Sequence, residues 1–150
     1  MVFIGIDPGK SGALMAINDS GKIVCSCPFG RDEYIHALSG LGSHFDCKCV
    51  VEHVNAMPKQ GCVSMFNFGE NFGFIRGVLE ALKIPYELVR PQKWKRMFSC
   101  TSDKNTSIEV ARRLFPDTKL LRKDRCKKPD DGMAEALLMA EYARRIQNGI

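Results

Sequence analysis

The chain has 150 residues, of which 45% are apolar and 26% are charged. This length suits one ordinary domain with a sizeable core, and the composition is typical of a globular protein. No stretch approaches the roughly 18 uninterrupted apolar residues of a membrane-spanning helix. The first strand-like run begins at Val2, which leaves no room for a signal or transit peptide. We therefore expect a single domain over residues 1–150 that acts in the cytoplasm of a bacterial or phage-infected cell, is not secreted and has no membrane partner.

The net charge of +5 is unevenly distributed along the chain. Residues 86–128 contain thirteen Lys and Arg against five Asp and Glu, whereas the segments before and after are slightly acidic. A basic segment beside acidic ends suits a protein that binds phosphates in one region and a metal in another. A merely solvated basic surface is the alternative that charge alone leaves open.

Three strands open the predicted fold. The apolar run Val2–Ile6 ends at Asp7, a turn follows at residues 8–12, and a second run covers residues 13–17. The hairpin signal Asn18-Asp19-Ser20-Gly21 leads into a third run at residues 23–27. A short helix is expected over residues 32–41.

Strands and helices alternate in the rest of the chain. The β-branched run at residues 49–54 indicates a fourth strand buried on both faces, and Tyr86–Val89 is a fifth. Helices are predicted at residues 64–82, 91–98 (a short basic helix or turn), 104–115 with a cap at Ser102-Asp103, and about 130–147. Gly69, Gly73 and Gly77 form a smooth stripe on the helix at 64–82, which permits close packing against the sheet or across a dimer axis. This order predicts an α/β fold with a mixed five-stranded sheet flanked by helices.

Four carboxylates stand at chemically informative positions: Asp7 at the end of the first strand, Glu52 in the fourth, and Asp131 and Glu135 four residues apart on one face of the last helix. Parallel central strands would place Asp7 beside Glu52, with the last helix across them. Clustered carboxylates repel one another unless a cation compensates, and hard oxygen ligands suit Mg²⁺ or Mn²⁺. Two such ions can drive in-line hydrolysis of a phosphodiester. Solvated strand ends and helix-capping acids are the alternative, above all for Asp131.

Other kinds of site fit the sequence poorly. The segment Gly9-Lys10-Ser11 lacks the glycine that a phosphate loop needs at position 4, which is Ile4, and it precedes a strand instead of a helix. The actin-like ATPases, which also use an Asp-x-Gly hairpin, need two domains. We therefore expect no nucleotide cofactor. The seven cysteines are expected as free thiols, because their closest pairs have strand spacing and not the usual zinc spacing.

Six short motifs follow one another along nearly the whole chain: Gly5-Ile6-Asp7-Pro8-Gly9 with Ser11-Gly12-Ala13, Val51-Glu52, Phe68-Gly69 through Gly73, Pro91-x-x-Trp94-Lys95, Leu114-Phe115-Pro116, and Asp131-Gly132-x-Ala134-Glu135-Ala136-Leu137-Leu138. Together they resemble the RuvC-type Holliday junction resolvases, in particular the phage-type branch and its chloroplast relative. The resemblance implies an RNase H-like fold of the retroviral-integrase type. It also implies a homodimer that binds four-way junction DNA and makes paired symmetric nicks on opposing strands.

The resemblance also implies roles for individual residues. The catalytic metal ligands carry over to Asp7, Glu52 and Glu135. In the bacterial pattern the fourth ligand lies three residues before the last, where this chain has Gly132. We therefore assign Asp131, with Asp130 as the neighbouring candidate.

DNA contacts are expected in two regions. Lys59, Gln60 and Ser64, in and just after the loop that follows Glu52, would reach the junction near the cut. Phe66 or Phe68 could stack on an unpaired base, although core packing is the preferred interpretation for both. Backbone phosphates would be bound by a basic group, in which Lys104 could also stabilise charge at the scissile phosphate: Arg90, Lys93, Lys95, Arg96, Lys104, Arg112, Arg122, Lys123, Lys127 and Lys128.

Two other functions remain open at this level. A related nuclease could use the same metal chemistry on an RNA–DNA hybrid or a flap. A binding module could have kept the fold without catalysis, although the presence of all four carboxylates argues against it.

Overall fold

The computed structural model describes residues 1–53, 55 and 61–150. Its secondary structure elements, in chain order, are β1 (Val2–Ile6), β2 (Ala13–Asn18), β3 (Ile23–Pro28), α1 (Arg31–His44), β4 (Cys47–Glu52), α2 (Cys62–Ala81), β5 (Tyr86–Val89), α3 (Pro91–Met97), α4 (Lys104–Leu114) and α5 (Asp131–Asn148). None of the helices in the described residues is both long and apolar enough to cross a membrane.

The five strands form one mixed sheet in the order β3-β2-β1-β4-β5. The first three strands pair as antiparallel hairpins, whereas β4 pairs with β1 and β5 pairs with β4 in parallel. Parallel neighbours must be joined by a crossover connection. The connection from the first hairpins to β4 contains α1, and the connection from β4 to β5 contains α2. The predicted α/β fold with a mixed five-stranded sheet is therefore confirmed.

Each face of the sheet has its own apolar core. On one face, α1 and α2 cover side chains such as Ile4, Ile6 and Val51. On the other face, α3, α4 and α5 pack over side chains such as Phe3 and Val50. The strands β1 and β2 are buried almost throughout because both of their faces are covered.

The last helix lies directly across the centre of the sheet. Every residue of α5 from Gly132 to Ala143 is buried. Its approach depends on Gly5 in β1, since a Cβ there would overlap the carbonyl oxygen of Ala136 and the nitrogen of Ala140. Gly5 therefore sets how deeply α5 sits on β1, two residues before Asp7 of the site described below.

Two helices depart from the predicted bounds. The first runs from Arg31 to His44, longer than the predicted 32–41, and it is anchored by the buried side chains of Tyr34, Leu38 and Leu41. This packing outweighs the low helix propensity of its glycine and serine residues. Helix α2 begins at Cys62, two residues before the predicted start.

Candidate functional site

Two strand ends and one helix bring the predicted carboxylates together. Ile6 pairs with Val51 in the parallel β1–β4 ladder, so Asp7 and Glu52 are the next residues on neighbouring strands. Helix α5 packs across the same strands and carries Glu135 on its second turn. Helix α3 links the two parts, because Trp94 contacts Glu52 and the adjacent Lys95 contacts Glu135. The charges of Glu135 and Asp131 contribute to the raised pKa of Asp7. The predicted juxtaposition is present in the structure.

Asp7 is partly buried at the start of the β1–β2 loop. Burial raises its pKa to about 6, and the negative charges of Glu135 and Asp131 contribute to the rise. The backbone N–H of Gly9 donates to Asp7 Oδ1 over 3.1 Å, which opposes the shift. The loop backbone thus binds one carboxylate oxygen, and Asp7 ionises at a higher pH than an ordinary aspartate does.

Glu52 is only 7% exposed at the end of β4. Burial and the charge of Asp7 raise its pKa to about 7. The indole N–H of Trp94, which is fully buried in α3, donates to Glu52 Oε1 over 3.0 Å. This bond and the charge of Lys95 favour the ionised form without cancelling the rise.

Glu135 is one of the two buried carboxylates of α5. The ammonium of Lys95 lies 2.7 Å from its Oε1, and the buried hydroxyl of Ser107 donates to the same oxygen over 3.2 Å. Helices α3 and α4 therefore each supply one partner that orients Glu135.

Asp131 and Asp130 have different surroundings. The Asp131 carboxylate pairs with Lys104 of α4 and belongs to the group of charges around Asp7. Asp130 instead caps α5, because its Oδ1 accepts from the N–H of Met133 over 2.9 Å. It also pairs with Arg122. Of the two candidates for a fourth ligand, the geometry favours Asp131.

Among the comparisons with known proteins, the comparison of structures finds matches and the two comparisons of sequence do not. No family model matches the chain, and the search of curated proteins finds no match. The structure of Thermus thermophilus RuvC in complex with a Holliday junction substrate matches with a TM-score of 0.69 at 14% identity, covering 99% of this chain and 96% of that chain. The chain has the RNase H-like fold of this protein. A second structure of Thermus thermophilus RuvC matches with a TM-score of 0.62 at 15% identity, covering 99% and 97% of the two chains.

The predicted DNA-binding residues fall into three groups. Arg90, Arg96 and Lys123 are exposed, as is Ser64 in the first turn of α2. Lys95 and Lys104 instead form ion pairs with the site carboxylates. Lys59 and Gln60 lie outside the described residues. The prediction that Arg122 belongs to the phosphate-binding surface is not supported, because its guanidinium faces inward onto Asp130 and the backbone of Ser11 and Gly12.

Helix α2 contradicts the predicted core packing of Phe66 and one of the two alternatives for the glycine stripe. Phe66 is 73% exposed and does not pack in the core, whereas Phe68 stacks on Phe72 with ring centroids 6.2 Å apart. The glycine stripe does not face the sheet: a Cβ on Gly69, Gly73 or Gly77 would meet nothing within 4 Å. The buried residues of α2 are Ile75 and Leu79, on a different side of the helix, and Phe72, Phe74 and Val78 pack against the same core while partly buried.

Three supporting side chains were not predicted from the sequence in the roles they have here: Trp94, Ser107 and Arg122. The sequence did indicate that Trp94 is important, since it is the chain's one tryptophan and lies in one of the six motifs. Nothing in the sequence indicated the role of Ser107, because serine on a helix is ordinary. Arg122 was grouped with the phosphate contacts by its charge alone, whereas in the structure it pairs with Asp130.

Proposed function

We propose that this chain is a metal-dependent endodeoxyribonuclease that resolves four-way DNA junctions by paired symmetric nicks. The observation that carries the proposal is the gathering of Asp7, Glu52, Asp131 and Glu135 at one end of an RNase H-like sheet. A solved protein of the same fold is in complex with a Holliday junction substrate, which supports a junction as the substrate here. The phage-type branch within the resolvases stays a prediction.

The donor set of the site fits hard divalent cations. All four groups are carboxylates, and mutual repulsion and burial hold two of them near neutral pKa, a cost that a bound cation would remove. As the side chains stand, no three Asp, Glu, His or Cys residues among the described ones form a metal-binding group. Two of the four carboxylates are paired with Lys104 and Lys95 instead.

Asp7, Glu52, Asp131 and Glu135 would hold Mg²⁺, or Mn²⁺ in its place, with two ions in each site. The chemistry that bound ions supply is activation of a water and stabilisation of the leaving oxygen during in-line hydrolysis of a phosphodiester.

The chain's own residues orient the site and bind the substrate. Trp94 holds the Glu52 carboxylate and Ser107 holds that of Glu135, so the donor oxygens are directed before substrate arrives. The exposed ammonium of Lys104 would bind the phosphate at the cut. Contacts to backbone phosphates are assigned to Arg90, Lys95, Arg96 and Lys123. Contacts to the junction near the cut are assigned to Lys59, Gln60 and Ser64.

Paired nicks on opposing strands need two active sites, and we propose a homodimer that uses α2. Val63 and Phe66 on this helix are 75% and 73% exposed, and the glycine stripe leaves room for a close approach. Exposed apolar side chains on one helix commonly mark an interaction surface. Sedimentation of the chain at micromolar concentration tests this assignment, and a monomer that still made paired nicks would contradict it.

Cleavage of a labelled synthetic four-way junction with Mg²⁺ tests the function, beside linear duplex, a flap and an RNA–DNA hybrid. We expect symmetric nicks confined to the junction. The Asp7→Asn variant should lose cleavage while binding the junction at least as tightly, because it removes a metal ligand and one negative charge near DNA. Cutting of the hybrid or flap alone would transfer the function to a related nuclease. An Asp7→Asn protein that cleaves at the wild-type rate would refute the carboxylate mechanism.

A further inference from the structure

Arg122 joins two segments of the chain that are far apart in sequence. Its Nε donates to Asp130 Oδ2 over 2.9 Å, and its Nη2 donates to Asp130 Oδ1 over 3.2 Å. The same Nη2 donates to the carbonyl oxygens of Ser11 and Gly12, the latter over 3.2 Å. One guanidinium therefore binds the start of α5 and the β1–β2 loop at once.

Both segments carry site carboxylates. Asp130 is the N-cap of α5, so its position sets that of Asp131, the next residue, and of Glu135 one turn further on. Gly12 closes the loop that starts at Asp7, since its N–H donates to Gly9 O over 2.8 Å and Gly9 in turn binds Asp7.

The helix and the loop are also in direct contact at this point. A Cβ on Gly132 would overlap the carbonyl oxygen of Ser11, so the first turn of α5 rests on the loop backbone without space between them. Arg122 spans this contact. A displacement of either segment would change the distance between the carboxylates on the helix and the one on the loop.

The environment of Arg122 does not suit a phosphate contact. Its side chain is 24% exposed and that of Asp130 is 18% exposed, so the pair is largely shielded from solvent. The charge of the guanidinium is already balanced by Asp130 in a bidentate arrangement, which is the stronger kind of carboxylate pairing. Lys123 and Arg125, its neighbours in sequence, are exposed.

We propose that Arg122 is a positioning residue that holds Asp131 and Glu135 of α5 in register with Asp7. This inference rests on the proposed function, because register matters only if these carboxylates share metal ions. Partners that orient metal ligands from behind typically contribute about 10- to 100-fold in metal affinity or activity. Arginine suits this role better than lysine, because its planar fork binds a carboxylate through two parallel hydrogen bonds.

Four variants separate positioning from the alternatives. Arg122→Gln removes the contact, and Arg122→Lys keeps the charge but loses the fork. Asp130→Asn keeps the helix cap, since Asn caps as well as Asp, but weakens the pairing with Arg122. Arg125→Gln is the control, with the same charge change three residues away on an exposed side chain.

Two measurements report on the site itself. Calorimetry with Mn²⁺ in the absence of DNA measures metal affinity well below the melting temperature. Single-turnover cleavage at saturating protein measures the chemical step, while junction affinity is followed separately as a function of salt. We expect Arg122→Gln to lower both Mn²⁺ affinity and the single-turnover rate by about 10- to 100-fold. Arg122→Lys and Asp130→Asn should show smaller losses of the same kind, and Arg125→Gln should match wild type.

The double variant Arg122→Gln/Asp130→Asn tests whether the two residues act as one unit. We expect its Mn²⁺ affinity and cleavage rate to be no lower than those of Arg122→Gln alone, because the effects of substitutions within one hydrogen-bonded network do not add. Additive losses would contradict the proposal.

Other outcomes overturn the proposal in recognisable ways. Wild-type Mn²⁺ affinity with weaker junction binding, and a salt slope lower by about one, would make Arg122 a phosphate contact. A lower melting temperature with unchanged Mn²⁺ affinity of the folded protein would reduce its role to stability. If the wild-type chain cuts no junction while Arg122→Gln still weakens Mn²⁺ binding, the proposed substrate fails and the positioning role stands.

Discussion

Glu52→Gln should stabilise the protein in the absence of divalent metal at pH 8. Burial and the charge of Asp7 raise the pKa of Glu52 from 4.5 to about 7, so the ionised form is less stable in the folded chain than in the unfolded one. A carboxyl with a raised pKa leaves the fold stable at low pH, where the group is neutral. The free energy of unfolding falls as the pH rises through about 7 and the buried group becomes charged. A shift of this size corresponds to about 3 kcal/mol at pH 8 and less than about 1 kcal/mol at pH 5. Glutamine removes the charge while its oxygen can still accept from Trp94.

Glu141→Gln is a matched control with the opposite sign. Glu141 is also buried on the sheet side of the molecule, at 3% exposure. Although burial alone would raise its pKa, hydrogen bonds from Arg144 and Arg145 at 2.7 and 2.8 Å lower it below the ordinary value. A depressed carboxylate pKa stabilises the fold above the unfolded pKa, and this stability is lost as the pH falls. The same substitution should therefore destabilise the protein at pH 8.

Urea unfolding in EDTA at pH 8 and pH 5 measures both effects. We expect Glu52→Gln to exceed wild type in unfolding free energy by up to about 3 kcal/mol at pH 8, with most of the gain gone at pH 5. Adding Mg²⁺ should then stabilise wild type more than the variant, because a ligand stabilises only a fold that binds it. If Glu52→Gln is no more stable than wild type at pH 8 in EDTA, then burial and the charge of Asp7 do not raise the pKa of Glu52, and this reasoning is refuted.

Two further predictions concern the groups that hold the carboxylates in place. Gly5→Ala should lower both the melting temperature and the cleavage rate. The new Cβ would overlap backbone atoms of Ala136 and Ala140, which cannot shift unless α5 moves. Unchanged values in thermal melts and in junction cleavage assays would contradict this close approach. Trp94→Phe removes the N–H that favours the ionised Glu52. The pKa of Glu52 should rise, so the pH at which Mn²⁺ binding is half-maximal in calorimetry should move upward; a downward or absent movement would contradict the assigned hydrogen bond.

The sheet could be predicted from sequence because its signals are local. The run Val2–Ile6 and the run Tyr86–Val89 are each bounded by turn residues, and both strands have the predicted ends. The parallel pairing of β1 with β4 followed from the order of elements, and it alone places Asp7 beside Glu52. The candidate site was thus predictable in outline from where charged residues interrupt apolar strands.

The orientation of α2 was not predictable in the same way. Its apolar residues recur with helical period, which indicates a helix but not how many of its sides will be covered. Two residues of its 20 are buried, and Phe66 is 73% exposed. The helical period predicts which side of α2 is apolar. It does not predict which other element, or which other chain, covers that side.

The basic segment shows why a count of charges predicts a partner only coarsely. The local excess of Lys and Arg indicated one phosphate-binding surface, yet the structure divides it by what each cation faces. Arg96 is exposed, Lys95 lies 2.7 Å from a site carboxylate, and Arg122 is directed into the backbone. These contacts join positions 40 to 111 residues apart, and no local pattern encodes them. The same charge in the sequence therefore corresponds to three physical roles, and only the first of them is fully available to DNA in the structure as it stands.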